Sequence, residues 1–174
     1  MNVSKTAVVL IGHGAPATDC PPQLIGELMA LEWRGNHPGD AHQHHVDGRA
    51  AELDAKIRGW PRHGSNDPYK AGLERLADAL KPRVPTELFA IGYNEFCRPT
   101  IAEAIDDVIR RGATRVLVVP SMFTPGGVHS ERDIPAALEA VRRAHPWITI
   151  DYLWPFDLEA VAALLASHVK AVIQ

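Results

Sequence analysis

The tightest constraint on the fold is an alternation. Short, nearly continuous apolar runs each hand over to a segment with helical spacing. The runs are 6–12 (TAVVLIG), 86–92, 115–120 and 147–153. Apolar throughout and rich in Val and Ile, such runs suit strands covered on both faces, as in parallel sheets. Parallel neighbours need a crossover between them, and the helical segments supply it. The expected fold is α/β: an open four-stranded parallel sheet flanked by helices. Right-handed crossovers then gather every strand-to-helix loop on one edge, where open sheets keep their ligand sites.

The helical segments have readable ends. Pro21-Pro22 opens one that runs to about Trp33, with Leu24, Leu28 and Leu31 at helical spacing. A second covers 47–58. Asp67 caps a third, with Pro68 at its first position and Leu73, Leu76, Ala77 and Leu80 on one face. A fourth runs from Pro99 to Arg111 and stops at Gly112. A fifth, 130–145, opens with Ser130-x-x-Asp133, a loose capping box, and Asp157 caps the last. The irregular stretch is 34–45, with His37, His42, His44 and His45 inside nine residues. It reads either as a metal-collecting lid or as a polar surface loop.

A length of 174 residues fits one domain with its own core, expected to span 1–174 with an insertion at about 34–67. The net charge of −3 and the lack of a basic run give no footprint for nucleic acid or an anionic membrane. Cys20 and Cys97 form no CxxC pair, which argues against a disulfide framework or a four-cysteine zinc site. The N-terminus lacks signal-peptide features, and no apolar run approaches the roughly eighteen residues of a membrane span. A cytoplasmic location is expected.

Three strand ends carry side chains with chemistry: His13 in Gly12-His13-Gly14, Glu95 in Gly92-Tyr93-Asn94-Glu95, and His129 after Gly126-Gly127. With Trp154 they follow four different strands, so all belong to one rim. Two imidazoles and a carboxylate suit cobalt, iron, nickel or zinc and leave coordination positions open. The same groups can move protons. Each also has a plain structural reading. His13 can be a packed turn residue and Glu95 a solvated carboxylate at a helix entry. Gly126 and Gly127 either free the chain to turn or offer N–H groups to a substrate carboxylate. Trp154 either stacks on a flat ligand or belongs to the core. Arg98 and Arg132 pair either with substrate carboxylates or with acidic neighbours.

Five pieces in order resemble the small class II chelatases that insert a divalent metal into sirohydrochlorin. They are Gly12-His13-Gly14, Tyr93-Asn94-Glu95-Phe96-Cys97-Arg98-Pro99, Val119-Pro120, Gly127-Val128-His129 and Asp133-Ile134-Pro135. The resemblance covers roughly 5–20 and 68–171 and implies a chelatase-like parallel α/β fold. It implies that His13, Glu95 and His129 hold or deliver the metal and take up pyrrole protons. The substrates implied are Co²⁺ or Fe²⁺, with Ni²⁺ or Zn²⁺ as further options, and a sirohydrochlorin-type tetrapyrrole; no organic cofactor is implied. The insertion at 34–67 exceeds that of the short members. The chain has one α/β unit where many chelatases hold the macrocycle between two, so a homodimer is expected. A non-catalytic metal or tetrapyrrole carrier on the same fold is the alternative. A metal-assisted hydrolase finds no support, since no G-x-S-x-G motif occurs.

Overall fold

The computed structural model describes residues 5–35 and 43–173, with side chains for 5–33 and 48–173. Four strands, β1 (Thr6–Gly12), β2 (Leu88–Tyr93), β3 (Arg115–Pro120) and β4 (Thr149–Tyr152), form one parallel sheet in the order β2-β1-β3-β4. The helices are α1 (Pro22–Gly35), α2 (Gln43–Arg58), α3 (Pro68–Leu80), α4 (Ile101–Arg110), α5 (Ile134–Ala144) and α6 (Leu158–Ile173). The expected open four-stranded parallel sheet with flanking helices is the observed architecture. Strand order reverses between β1 and β3, and the crevice at such a switch point is where ligands sit in these sheets.

Period-two alternation sorts β1 between two apolar layers. Ala7, Val9 and Ile11 join Ile101, Ile105, Val108, Ile134, Leu138 and Val141 under α4 and α5. Val8 and Leu10 face the other way, against Leu73, Ala77, Phe89, Tyr93 and Cys97 under α3. A strand buried on both sides has to be apolar at every position, and residues 7–11 are at most 5% exposed. Burying each Val, Leu or Ile contributes about 1.5–3 kcal/mol.

The segment expected as an insertion contains, among its described residues, a 16-residue helix. The helix read as 47–58 begins at Gln43 and packs on α1. Leu28, Leu53 and Ile57 form a small core there with Ala17 and Cys20, and Trp60 and Phe96 pack against it. His37 and His42 lie outside the described residues, as do the side chains of His44 and His45.

Other boundaries move for local reasons. The strand read as 86–92 starts at Leu88, because the Thr86 hydroxyl turns back onto the Thr6 carbonyl. The strand read as 147–153 shrinks to four residues, leaving Trp147 exposed. Helix α4 begins at Ile101 rather than Pro99 because Thr100 and Glu103 form a complete capping box. The box expected at Ser130 and Asp133 is absent: residues 129–133 wind as a π-helical turn without a side-chain cap. Ser130 is buried there, and its carbonyl accepts from the Tyr152 hydroxyl at 2.9 Å. Asp67 and Asp157 cap α3 and α6 as their positions predict. Among the described residues, no helix is long and apolar enough to cross a membrane.

Candidate metal centre

The loops after β1 and β2 stay paired beyond the strands. The Asn94 amide donates to the Gly12 carbonyl at 2.9 Å and the Glu95 amide to the His13 carbonyl at 2.8 Å. This fixes His13 and Glu95 in register before their side chains are considered. Gly14 makes the approach possible: its φ is +93°, and a Cβ there would lie 1.9 Å from the Glu95 carbonyl oxygen. Phe96 follows with a left-handed φ of 55° that turns the loop toward α4.

Two arginines tie this loop to the helical pair. Arg58 donates to the carbonyls of Asn94 at 2.9 Å and Cys97 at 3.0 Å. Arg62 bridges Asp67 to the carbonyls of Ala15 and Phe96. The Arg62 and Asp67 side chains are 10% and 1% exposed, so the pair is shielded from solvent and held by hydrogen bonds rather than by charge alone. Cys97 is buried beside Asp67, with its thiol pushed up to about 11 by desolvation, and is inert as a ligand.

His129 reaches the same place from the π-helical turn after β3, a distortion common at functional sites. The three side chains converge, with one candidate ligand atom of each lying within 4.8 Å of the others. His13 Nε2 is 3.1 Å from His129 Nε2 and 3.8 Å from Glu95 Oε2. His129 Nδ1 is 3.6 Å from Glu95 Oε1. All three are about one-third exposed.

Partners on the far side of each ring decide which nitrogen carries the proton. His13 Nδ1 lies 2.7 Å from the Gly14 carbonyl and His129 Nδ1 lies 2.8 Å from Asp133 Oδ2. Carbonyl and carboxylate oxygens only accept, which favours the tautomers with Nδ1 protonated and the two Nε2 lone pairs facing each other, although the Asn94 side-chain amide nitrogen also lies 3.0 Å from His129 Nδ1. Two opposed lone pairs at 3.1 Å repel unless a cation lies between them. Nitrogens at metal-bond length from one ion stand roughly 3.0 Å apart in cis-octahedral and roughly 3.4 Å apart in tetrahedral coordination. The donor set fits a divalent metal, and Asp133 takes the carboxylate-to-histidine role that orients metal ligands.

Glu95 and His129 of the triad open onto a cavity of about 610 Å³, also lined by Glu32, Arg58, Asn94, Arg132 and Asp133. Glu32, at the end of α1, is a contributor that sequence reasoning missed. Its carboxyl is held above the usual range by partial desolvation first, then by the charges of Glu95, Asp54 and Asp133. No linear pattern links residue 32 to residues 95 and 133. Asp133 did carry a local signal, its position four residues after His129.

The other predicted substrate residues do not line this cavity. Arg98 pairs with Glu103 of α4 at 2.9 Å and is 63% exposed, whereas Arg132 lines the cavity. The Gly126 amide donates to the Glu131 carboxylate at 2.6 Å, and Gly126 has a φ of +87°. Gly127 continues this turn, its carbonyl accepting from the Glu131 amide at 3.0 Å. Trp154 is half-buried and meets Phe156 edge-on, which in turn meets Phe123, forming an aromatic group at the β3–β4 end of the rim.

Known proteins resemble this chain in sequence and in fold. A sirohydrochlorin cobaltochelatase of Methanocaldococcus jannaschii is 42% identical over 84 residues, covering 48% of this chain and 58% of that protein. The chain thus spans a little over half the length of such curated relatives. The sirohydrochlorin chelatase SirB of Bacillus subtilis subspecies spizizenii, solved with cobalt, superimposes with a TM-score of 0.53 at 20% identity, over 95% of this chain and 50% of its own. A CbiX protein of Marinobacter aquaeolei VT8 gives a TM-score of 0.56 at 16% identity, over 96% and 97%. These two superpositions speak for the fold. The sequence profile of CbiX matches residues 61–172, nearly two thirds of the chain and two of its three triad residues, and places it in the CbiX family.

Proposed function

We propose that the chain inserts a divalent metal, cobalt or iron, into a sirohydrochlorin-type tetrapyrrole, serving cobalamin or siroheme synthesis. The observation that carries this reading is the 3.1 Å approach of the His13 and His129 Nε2 atoms with Glu95 beside them. His13 and His129 are the metal ligands, and Glu95 is ligand or proton acceptor. Three protein ligands leave open positions, so the metal is held for transfer rather than for structure. Imidazole and carboxylate release a cobalt or iron ion more readily than thiolates would.

The chemistry balances at this spot. A free-base macrocycle loses two N–H protons as M²⁺ enters, so charge is conserved and two acceptors are needed. Glu95 offers one carboxylate within 4 Å of both imidazoles, and each Nε2 becomes basic as the metal leaves it. Arg132 and Arg58 at the cavity edge suit the acidic substituents of such a macrocycle. Gly126, Gly127, Arg98 and Trp154 complete the proposed substrate contacts. No organic cofactor is needed. Nickel and zinc fit the same donors.

The single α/β unit with its insertion at 34–67 acts, in this reading, as a cytoplasmic homodimer whose second copy covers the macrocycle. The test is Glu95→Gln under anaerobic conditions with sirohydrochlorin and Co²⁺. Loss of metallation rate beyond the loss of metal affinity supports insertion. Loss of affinity alone, with no protein-dependent rate in the wild type, means a carrier.

A further inference from the structure

Metal insertion releases two pyrrole protons, and the triad has one carboxylate to receive them. The imidazole Nε2 atoms turn basic only after the metal has left them. That is too late for a proton that must go before its nitrogen can take the metal. A second base is needed close to Glu95. Three carboxylates line the cavity onto which Glu95 and His129 open: Glu32, Glu95 itself and Asp133.

Asp133 is already engaged. Its Oδ2 lies 2.8 Å from His129 Nδ1, and its Oδ1 accepts from Arg132 at 3.1 Å. Arg58, the other cation at the cavity, also has its donors in use. Its Nε donates to Asp54 at 2.7 Å, and its terminal nitrogens donate to the carbonyls of Cys97 and Asn94. Among the described residues, Glu32 makes no hydrogen bond or ion pair. It is the cavity carboxylate with lone pairs to offer.

The helical pair sets its position. Leu28 of α1 is buried with Leu53 and Ile57 of α2, and Glu32 follows Leu28 by four residues on the same side of α1, in its last turn. Arg58 fastens α2 to the Asn94 carbonyl, next to Glu95 in the chain. The pair therefore holds Glu32 over the loop that carries Glu95. Partial desolvation first, then the charges of Glu95, Asp54 and Asp133, hold the Glu32 carboxyl above the usual carboxylate range, against the pull of Arg58. Such a carboxylate takes a proton more readily than one in water. Glu32 is also solvent-exposed, so a proton received there passes on to water.

We propose that Glu32 is the second proton acceptor of the insertion step. Two pyrrole N–H bonds break, and both electron pairs stay on nitrogen to become ligands of M²⁺. One proton goes to the Glu95 carboxylate and the other to the Glu32 carboxylate. The charge of M²⁺ is cancelled by the two pyrrole nitrogens, while the two carboxylates become neutral acids and then lose their protons to solvent. The α1–α2 pair thereby gains a chemical task, the placing of a base across the cavity from the metal ligands. This assignment deepens the chelatase reading and rests on it.

The test separates proton transfer from metal binding. Glu32→Gln keeps the shape of the side chain and removes its basicity. Metallation of sirohydrochlorin by Co²⁺ is followed anaerobically at saturating metal and macrocycle, and Co²⁺ affinity is read by chelator competition. The rate constant should fall about 100-fold with Co²⁺ affinity held to about twofold. Glu32→Ala should be equally slow and should regain rate on addition of acetate, which replaces the missing carboxylate. Glu27→Gln, on the same helix but paired with Arg49, should keep the wild-type rate. Glu32→Gln at the wild-type rate, affinity lost in step with rate, or no recovery with acetate would each overturn the assignment and leave insertion standing. No metallation by wild type would overturn the insertion reading, and the role of Glu32 with it.

Discussion

The amide of Glu95 donates to the carbonyl of His13 at 2.8 Å, across two loops that a whole strand–helix crossover separates in sequence. Glu95 is thus registered to His13 by backbone, and the third member, His129, comes to them across the switch point between β1 and β3. The side chains are held by the sheet's own pairing rather than by one another.

Gly14 is the position where that registration is most exposed to mutation. Gly14→Ala forces an L side chain into a left-handed φ, at roughly 1–2 kcal/mol, and drives its Cβ into the Glu95 carbonyl. Expected are a lowered melting temperature and cobalt affinity weakened at least tenfold, by thermal melts and chelator competition. An alanine variant that binds cobalt like wild type would show that the two loops need not touch.

Asp133 orients His129 without being a ligand. Asp133→Asn should weaken metal affinity about 10–100-fold while leaving the thermal midpoint of the metal-free protein nearly unchanged. Isothermal titration with Co²⁺ checks the first and calorimetry the second. Unaltered affinity would remove Asp133 from the site.

Arg62 is predicted to matter for stability rather than chemistry. Its guanidinium joins Asp67 to the carbonyls of Ala15, Ile57 and Phe96. Arg62→Met leaves the buried Asp67 charge unpaired and should cost about 3–5 kcal/mol, read as a lower urea midpoint. A loss below 1 kcal/mol would mean that solvent reaches Asp67.

Tyr152 supplies a pH signature. Burial keeps its phenol protonated, pushing its pKa up from 10.0 to about 12. The fold prefers the neutral phenol, so its contribution is complete below pH 10 and is lost as the pH rises through 12. Tyr152→Phe should therefore lose about 1 kcal/mol at neutral pH and a smaller amount at pH 11. Parallel denaturation curves for the two proteins across that range would contradict the assignment.

Much of the fold was legible because burial on both faces leaves a strand few choices. Residues 6–12 and 115–120 match β1 and β3 to the residue. The common rim of His13, Glu95 and His129 followed from topology alone. What escaped were features decided by partners distant in sequence. Asp133 reads locally as a cap, yet the nearby imidazole takes it. Glu32 belongs to the cavity only because α1 packs on α2 and leans over the rim. Thr100 is the opposite case: Thr-x-x-Glu at 100–103 is a plain capping box in the sequence itself.

The most direct test follows the visible spectrum of sirohydrochlorin anaerobically with Co²⁺ or Fe²⁺, with wild type, with His129→Ala and without protein. The expected result is spectral conversion that depends on wild-type protein and is lost with His129→Ala. Metal bound by wild type without acceleration for either ion would contradict insertion. No metal bound at all would contradict the shared site itself.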